Sequence, residues 1–215
     1  MTRILVTGSN RGIGSALCAE FTDRGAEVLA TARGSGGQIG LDVTDPVSVR
    51  DVAARLEGEE LDVLVCNAGI YPDKGEDLAE GYPREMWEDA FATNVFGVFQ
   101  SVQAFLPALR RAKAGRVAII SSQMGSSERA PGGSYIYRAS KAAAVNLGRN
   151  LAADLQEEGV AVGIYHPGWV RTDMGGETAE ISVEDSARGL ADRIDGLSLD
   201  TTGRFETWDG RLHPF

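Results

Sequence analysis

A tyrosine and a lysine four residues apart, Tyr137 and Lys141 in the stretch SYIYRASK, are the pair in this sequence best suited to moving a proton. A free phenol titrates near ~10, and an ammonium within about 4–6 Å favours its ionised form, bringing proton exchange closer to neutral pH. Spacing selects the tyrosine. The stretch leads into the alanine-rich run AAAVNLGRNLAADLQEE, which reads as a long helix. At roughly 100° per residue Tyr137 and Lys141 lie about 40° apart on such a helix, whereas Tyr135 diverges from Lys141 by about 240°. Only Tyr137 is placed to hold its phenol near the ammonium. Taken alone, the pair also fits a plain surface contact, so the rest of the chain has to supply the context.

The second chemical feature is TGSNRGIG, which follows a short apolar run at residues 3–7 and opens a helical stretch. Glycines at positions 8, 12 and 14 allow a tight strand-to-helix turn and a close backbone approach to a pyrophosphate, which the positive helix N-terminus favours. Gly8, Gly12 and Gly14 are therefore expected to bind a dinucleotide. The next β-rich segment ends ATAR, with Ala32 and Arg33 where an acid would bind a ribose 2′-hydroxyl. Arg33, together with Arg11 inside the turn, suits a 2′-phosphate, because a guanidinium binds phosphate in a bidentate fork. NADP(H) is expected in preference to NAD(H).

These groups need a scaffold that gathers them, and the alternation of β-branched runs with helical stretches supplies one. Residues 3–7, 27–32, 62–66, 116–121 and 160–165 read as buried parallel strands and 203–207 as a final one. Helices are expected at 12–24, 46–57, 83–112, 135–158 and 183–196. The fold class is α/β: one Rossmann-type domain over 1–215, a doubly wound parallel sheet with helices on both faces. Only RGSGGQIG separates the second strand from LDVTD. A parallel crossover usually takes a dozen or more residues, so one crossover helix is missing and 34–41 should be a flexible loop with at most a short edge strand.

The bulk composition narrows the partners. The 215 residues suffice for one domain with a sizeable core, and a net charge of −10 disfavours nucleic acid and anionic membrane. No apolar run is long enough to span a bilayer and the chain enters a strand directly, so a cytoplasmic protein is expected. Cys18 and Cys66 lack metal-ligand spacing and read as structural thiols; no metal is expected. Of the two histidines, His166 precedes a Pro-Gly turn and reads as structural.

With TGSNRGIG, LDVTD, CNAG at 66–69, TNVFG at 93–97, ISS at 120–122 with YRASK at 137–141, and HPGWVRTDM at 166–174, the chain resembles the short-chain dehydrogenase/reductase family over nearly its whole length. HPGWVRTDMGG followed by GRFETWDG is similar to the sniffer-like and C-factor-like branch of its carbonyl reductases. The resemblance implies a catalytic tetrad of Asn94, Ser122, Tyr137 and Lys141. It extends the cofactor turn to Asn10, Arg11 and Ile13, places Asp42 and Val43 at the adenine and Asn67, Ala68 and Gly69 at the ribose. Pro167, Gly168, Val170 and Thr172 would line the nicotinamide side, with Tyr137 and Lys141 also touching cofactor. Ser121, Ser126 and Ser127 compete for the serine role, but Ser122 opens a Ser-x-x-Gly pattern with Gly125.

In these roles Tyr137 is general acid in reduction and base in oxidation, tuned by Lys141, and Ser122 donates to the carbonyl oxygen where charge grows. Asn94, a poor helix former within a predicted helix, should bend it and hold a water for proton relay. Residues 172–182 read as a mobile lid, with Met124, Trp169, Met174 and Ile181 as candidates for an apolar wall. An NADPH-dependent carbonyl reductase acting on a medium-sized ketone or aldehyde is the first expectation. An NADP(H)-binding sensing or signalling protein with little turnover is the alternative, and a specialised enzyme for a keto-ester, sugar or polyketide intermediate a third. The resemblance also implies a homodimer or homotetramer pairing through the two long helices, a monomer being the other option.

Overall fold

A computed structural model describes residues 1–34 and 38–215. Seven strands run β1 Arg3–Thr7, β2 Glu27–Ala32, β3 Ile39–Gly40, β4 Val63–Cys66, β5 Arg116–Ile120, β6 Ala161–His166 and β7 Phe205–Thr207. They form one parallel sheet in the order β3-β2-β1-β4-β5-β6-β7. The helices are α1 Gly12–Asp23, α2 Pro46–Ala54, α3 Arg84–Phe91, α4 Gly97–Leu109, α5 Tyr135–Gln156 and α6 Val183–Asp195.

Strand alternation divides the core in two. Leu5, Leu64, Cys66, Val117 and Ile119 face α2, α4 and α5, where Val49, Val52, Val102, Phe105, Leu109, Ala152 and Leu155 cover them. Ile4, Val6, Val63, Val65, Ala118 and Ile120 face the other way, against Leu17 and Phe21 of α1 and Leu190, Ala191 and Ile194 of α6. Strands apolar on both sides are what an all-parallel sheet with helices on both faces requires. Because β1 lies between β2 and β4, the chain winds outward in both directions from there, and the strand ends at that reversal open a crevice.

The expected elements appear with small shifts at their ends; the missing crossover helix is as the chain length predicts, and one difference matters. No helix joins β2 to β3 among the described residues; β3 is a two-residue edge strand paired with Thr31 and Ala32. Of the loop expected over 34–41, residues 35–37 lie outside the described residues. The helix expected as one piece over 83–112 is interrupted: Ala92–Phe96 winds as a π-helix between α3 and α4. Cys66 is buried and its thiol is pushed up to about 12 by burial, which leaves it inert at neutral pH. Among the described residues no helix is long and apolar enough to cross a membrane.

Candidate active site

The crevice begins at the turn between β1 and α1. Gly8 has φ +65, a left-handed conformation that favours glycine, and a Cβ there would come 2.8 Å from Ala68 Cα. A Cβ on Gly14 would meet Gly8 O at 2.3 Å and Asn67 Nδ2 at 2.5 Å, so α1 starts flush against the turn. Asn67 fastens it: its Nδ2 donates to Thr7 O and Gly8 O, both at 3.0 Å, and the Asn67 and Ala68 N–H groups donate to Thr7 Oγ1. Arg11 occupies the N-cap of α1 without a side-chain cap, and no acid stands in the first turn. A helix start with open N–H groups and no competing carboxylate fits the phosphates of a dinucleotide. Asn10 and Arg11 are exposed there and Ile13 is half-buried against the core.

The four tetrad candidates come from three separate segments. Helical geometry divides the tyrosines as the spacing requires: Tyr137 is buried, while Tyr135 is 39% exposed and packs edge-on against Tyr82. Lys141 Nζ stands 5.7 Å from the Tyr137 ring centroid and donates to Ile120 O at 3.0 Å. A Cβ on Gly69 would lie 3.2 Å from Asn94 Oδ1 and 3.3 Å from Lys141 Nζ, so the end of β4 brings asparagine and ammonium together. Asn94 sits inside the π-helix; its Oδ1 accepts from Ile70 N and its Nδ2 donates to Ile70 O and Ser140 Oγ, each at 2.9 Å.

The competing serines separate by what their hydroxyls already do. Ser121 Oγ donates to Lys141 O at 3.0 Å and is committed to packing. Ser122 Oγ accepts from Met124 N at 3.1 Å, capping the 3₁₀ turn Gln123–Gly125 and keeping its own proton to donate. Gly125 permits the arrangement, since a Cβ there would press on the Lys141 backbone at 2.6 Å. Ser126 is buried without a hydrogen-bond partner and Ser127 is exposed.

On the nicotinamide side, Pro167 O accepts from Ser186 Oγ at 2.6 Å, Val170 is buried and bridges Ile181, and a Cβ on Gly168 would collide with Ile181. A Cβ on Gly12 would lie 3.4 Å from the Thr172 methyl, which sets this loop against the glycine turn. The segment expected as a lid is a series of turns held by several contacts. Arg11 pairs with Asp173 at 2.8 Å, Lys74 Nζ donates to Met174 O at 3.2 Å, and Trp169 Nε1 donates to Gly175 O at 2.9 Å. Met174 reaches the Tyr137 phenol: its Sδ is 4.0 Å from Tyr137 Oη. Ile181 and Met124 are half-buried and Trp169 is 45% exposed.

Toward the adenine end the residues stand further apart. Arg33 is exposed beyond β2. The Asp42 carboxylate is engaged in its own turn, accepting from Thr44 N at 2.9 Å and Thr44 Oγ1 at 2.7 Å. Val43 is buried against Gly97 at the start of α4.

The electrostatics correct one expectation. Burial pushes the Tyr137 phenol up to about 12, with Tyr71 and Asp73 adding to the rise and the Ser122 hydroxyl opposing it. Lys141, expected to bring the phenol below its ordinary value, is itself pushed down to about 8 by burial. Loss of solvation outweighs attraction across 5.7 Å in the chain by itself. His166 is buried and pushed down to about 3, mainly by burial, so it stays neutral and takes no part in acid–base work near neutral pH.

Two neighbours of Tyr137 had no sequence signal. Tyr71 stacks on its ring with centroids 4.2 Å apart, and Asp73 accepts from Ile136 N and Tyr137 N at the start of α5. Both belong to the loop after β4, about sixty positions away in the chain, and neither lies in a motif shared with the helix.

Comparison with known proteins agrees with this geometry. The short chain dehydrogenase family model matches residues 2–181. The chain is 35% identical to 1-hydroxy-2-glutathionyl-2-methyl-3-butene dehydrogenase of Rhodococcus sp. (strain AD45), over 98% of each chain. An NADPH-bound carbonyl reductase from chicken fatty liver superposes with a TM-score of 0.92 at 30% identity, covering 100% of this chain and 99% of that one. The carbonyl reductase Sniffer of D. melanogaster superposes at 0.93 and 26% identity over 100% of both. The chain belongs to the short-chain dehydrogenase family.

Proposed function

We propose that this short-chain dehydrogenase is an NADPH-dependent carbonyl reductase that converts a medium-sized ketone or aldehyde to the alcohol, with Tyr137 as general acid. The observation that carries the reading is the convergence of the Tyr137 phenol, the Lys141 ammonium and the Asn94 amide beside Gly69, at the same sheet edge as the glycine turn. The NADPH-bound chicken carbonyl reductase and the pairing of Arg11 and Arg33 with no acid at the end of β2 support the choice of cofactor. Bound NADPH supplies a hydride to the carbonyl carbon.

The chain's own residues manage the oxygen and the proton. The Ser122 hydroxyl, its oxygen already engaged by Met124 N, donates to the carbonyl oxygen and stabilises the charge that grows there. Tyr137 transfers its phenol proton to that oxygen as the carbonyl π pair localises on it. A phenol held near 12 is fully protonated at neutral pH, as a proton donor must be. Lys141 spends one N–H on Ile120 O and keeps two for ribose hydroxyls, and Asn94 holds the Ile70 backbone at the entrance of the relay to it. Met174 sets an apolar group beside the Tyr137 hydroxyl, which suits a medium-sized substrate.

The test is NADPH oxidation, with NADH in parallel, against aryl ketones, keto-esters, diketones and aldehydes. Substrate-dependent consumption faster with NADPH is expected, and Tyr137→Phe should lower kcat by about 10²–10⁴-fold with cofactor affinity unchanged. Full turnover in that variant would remove Tyr137 from the mechanism.

A further inference from the structure

The first turn of the catalytic helix is not capped by its own sequence. Ser134, at the N-cap of α5, has φ 49 and makes no side-chain cap. The Asp73 carboxylate does this work from the loop after β4: it is fully buried, accepting from Ile136 N at 2.7 Å and from Tyr137 N at 3.2 and 3.3 Å. Among the described residues no lysine or arginine pairs with it, so its charge is balanced by helix N–H groups alone. Two residues earlier, Tyr71 lies nearly parallel to the Tyr137 ring at 20° and 4.2 Å, and its hydroxyl is tied to Ser134 Oγ.

We propose that Asp73 and Tyr71 are positioning residues that clamp Tyr137, one by its backbone and one by its ring, and so set both where its hydroxyl stands and how tightly it holds its proton. The proposal rests on the reading of Tyr137 as the general acid. The groups that face Tyr137 are Lys141 from its own helix, Ser122 from the turn after β5, Met174 from the loop after β6, and Tyr71 and Asp73 from the loop after β4. Among these, Asp73 is the buried anion, and an anion disfavours formation of a second negative charge on the phenol. Its removal should therefore ease ionisation of Tyr137. A simple helix cap would leave that equilibrium where it is.

The experiment is the titration of Tyr137 in the NADP⁺ complex, followed by NMR of tyrosine labelled at the phenol carbon. Tyr137→Phe assigns the signal, and the pH profile of alcohol oxidation is recorded alongside. Asp73→Asn keeps the shape and one acceptor, and should move both midpoints to lower pH while kcat for reduction falls by up to about 10²-fold, the scale of an ångström-sized misplacement. Tyr71→Leu, which removes the ring stack and lets solvent reach the phenol, should also lower the midpoints and provides the second reading if Asp73→Asn folds poorly. Midpoints that stay at the wild-type value in both variants overturn the proposal, whatever happens to melting temperature. If Tyr137→Phe retains turnover, the general-acid reading fails on its own, and the NMR titration still decides the clamp.

Discussion

Lys141 carries its ammonium into a buried position where, among the described residues, no carboxylate pairs with it and Ile120 O is its only hydrogen-bond partner. Its pKa, pushed down from 10.5 to about 8, means that the unfolded chain binds more protons than the folded one between those values. Stability from this site is therefore lowest below pH 8 and recovers as pH rises toward 10.5. Lys141→Met should raise stability at pH 7 by roughly 3 kcal/mol, the equivalent of a shift of that size, while turnover is lost. Thermal melts across pH check it: the gain should shrink as the buffer goes from neutral to alkaline. Such a cost retained at one buried position suits a residue kept for chemistry. Among single residues, Tyr137 was legible because helix periodicity alone separates it from Tyr135. Asp73 was not, since its partners lie 63 positions away and a lone aspartate in a loop carries no periodic signal.

The π-helix at Ala92–Phe96 is the element on which the entrance to the site depends. A π turn widens the helix locally, and here Asn94 lies within it, turned toward the backbone of Ile70 and toward Ser140. The sequence predicted a bend at this asparagine from its poor helix propensity. It could not specify a π turn, because the widening is stabilised by three hydrogen bonds to residues on other elements. Asn94→Ala would take the side-chain partner from the half-buried Ile70 N–H and C=O and should destabilise by about 1–3 kcal/mol in all. Denaturant unfolding measures this, and turnover should fall together with stability because Asn94 Oδ1 and Lys141 Nζ both lie against the same face of Gly69. The shortened β2–β3 connection was legible for the opposite reason: a count of intervening residues is enough to exclude a crossover helix.

At the scale of the molecule, the parallel sheet and its two helical layers follow from the succession of β-branched runs and helical stretches, while the order of the seven strands is set by pairings distant in sequence. What the pattern could not specify is the surface. Phe96 and Phe99 are 46% and 40% exposed at the start of α4, and the outward side of α5 presents Ala139, Ala142 and Ala143, none of them fully buried. Together with the family resemblance this leads us to expect a dimer or tetramer paired across α4 and α5. Sedimentation should show it, and Phe99→Glu should shift the population to a smaller species; a wild-type monomer would end the expectation. The parallel sheet has one more consequence. The site draws on the turn after β1, the ends of β4, β5 and β6, the π-helix and the head of α5, so none of it exists until strands distant in sequence have paired. Loop closure makes such pairings slow. On dilution from denaturant, helical signal should therefore return well before any capacity to bind NADPH, and the dead time between the two would report how long the chain spends compact but without a pocket.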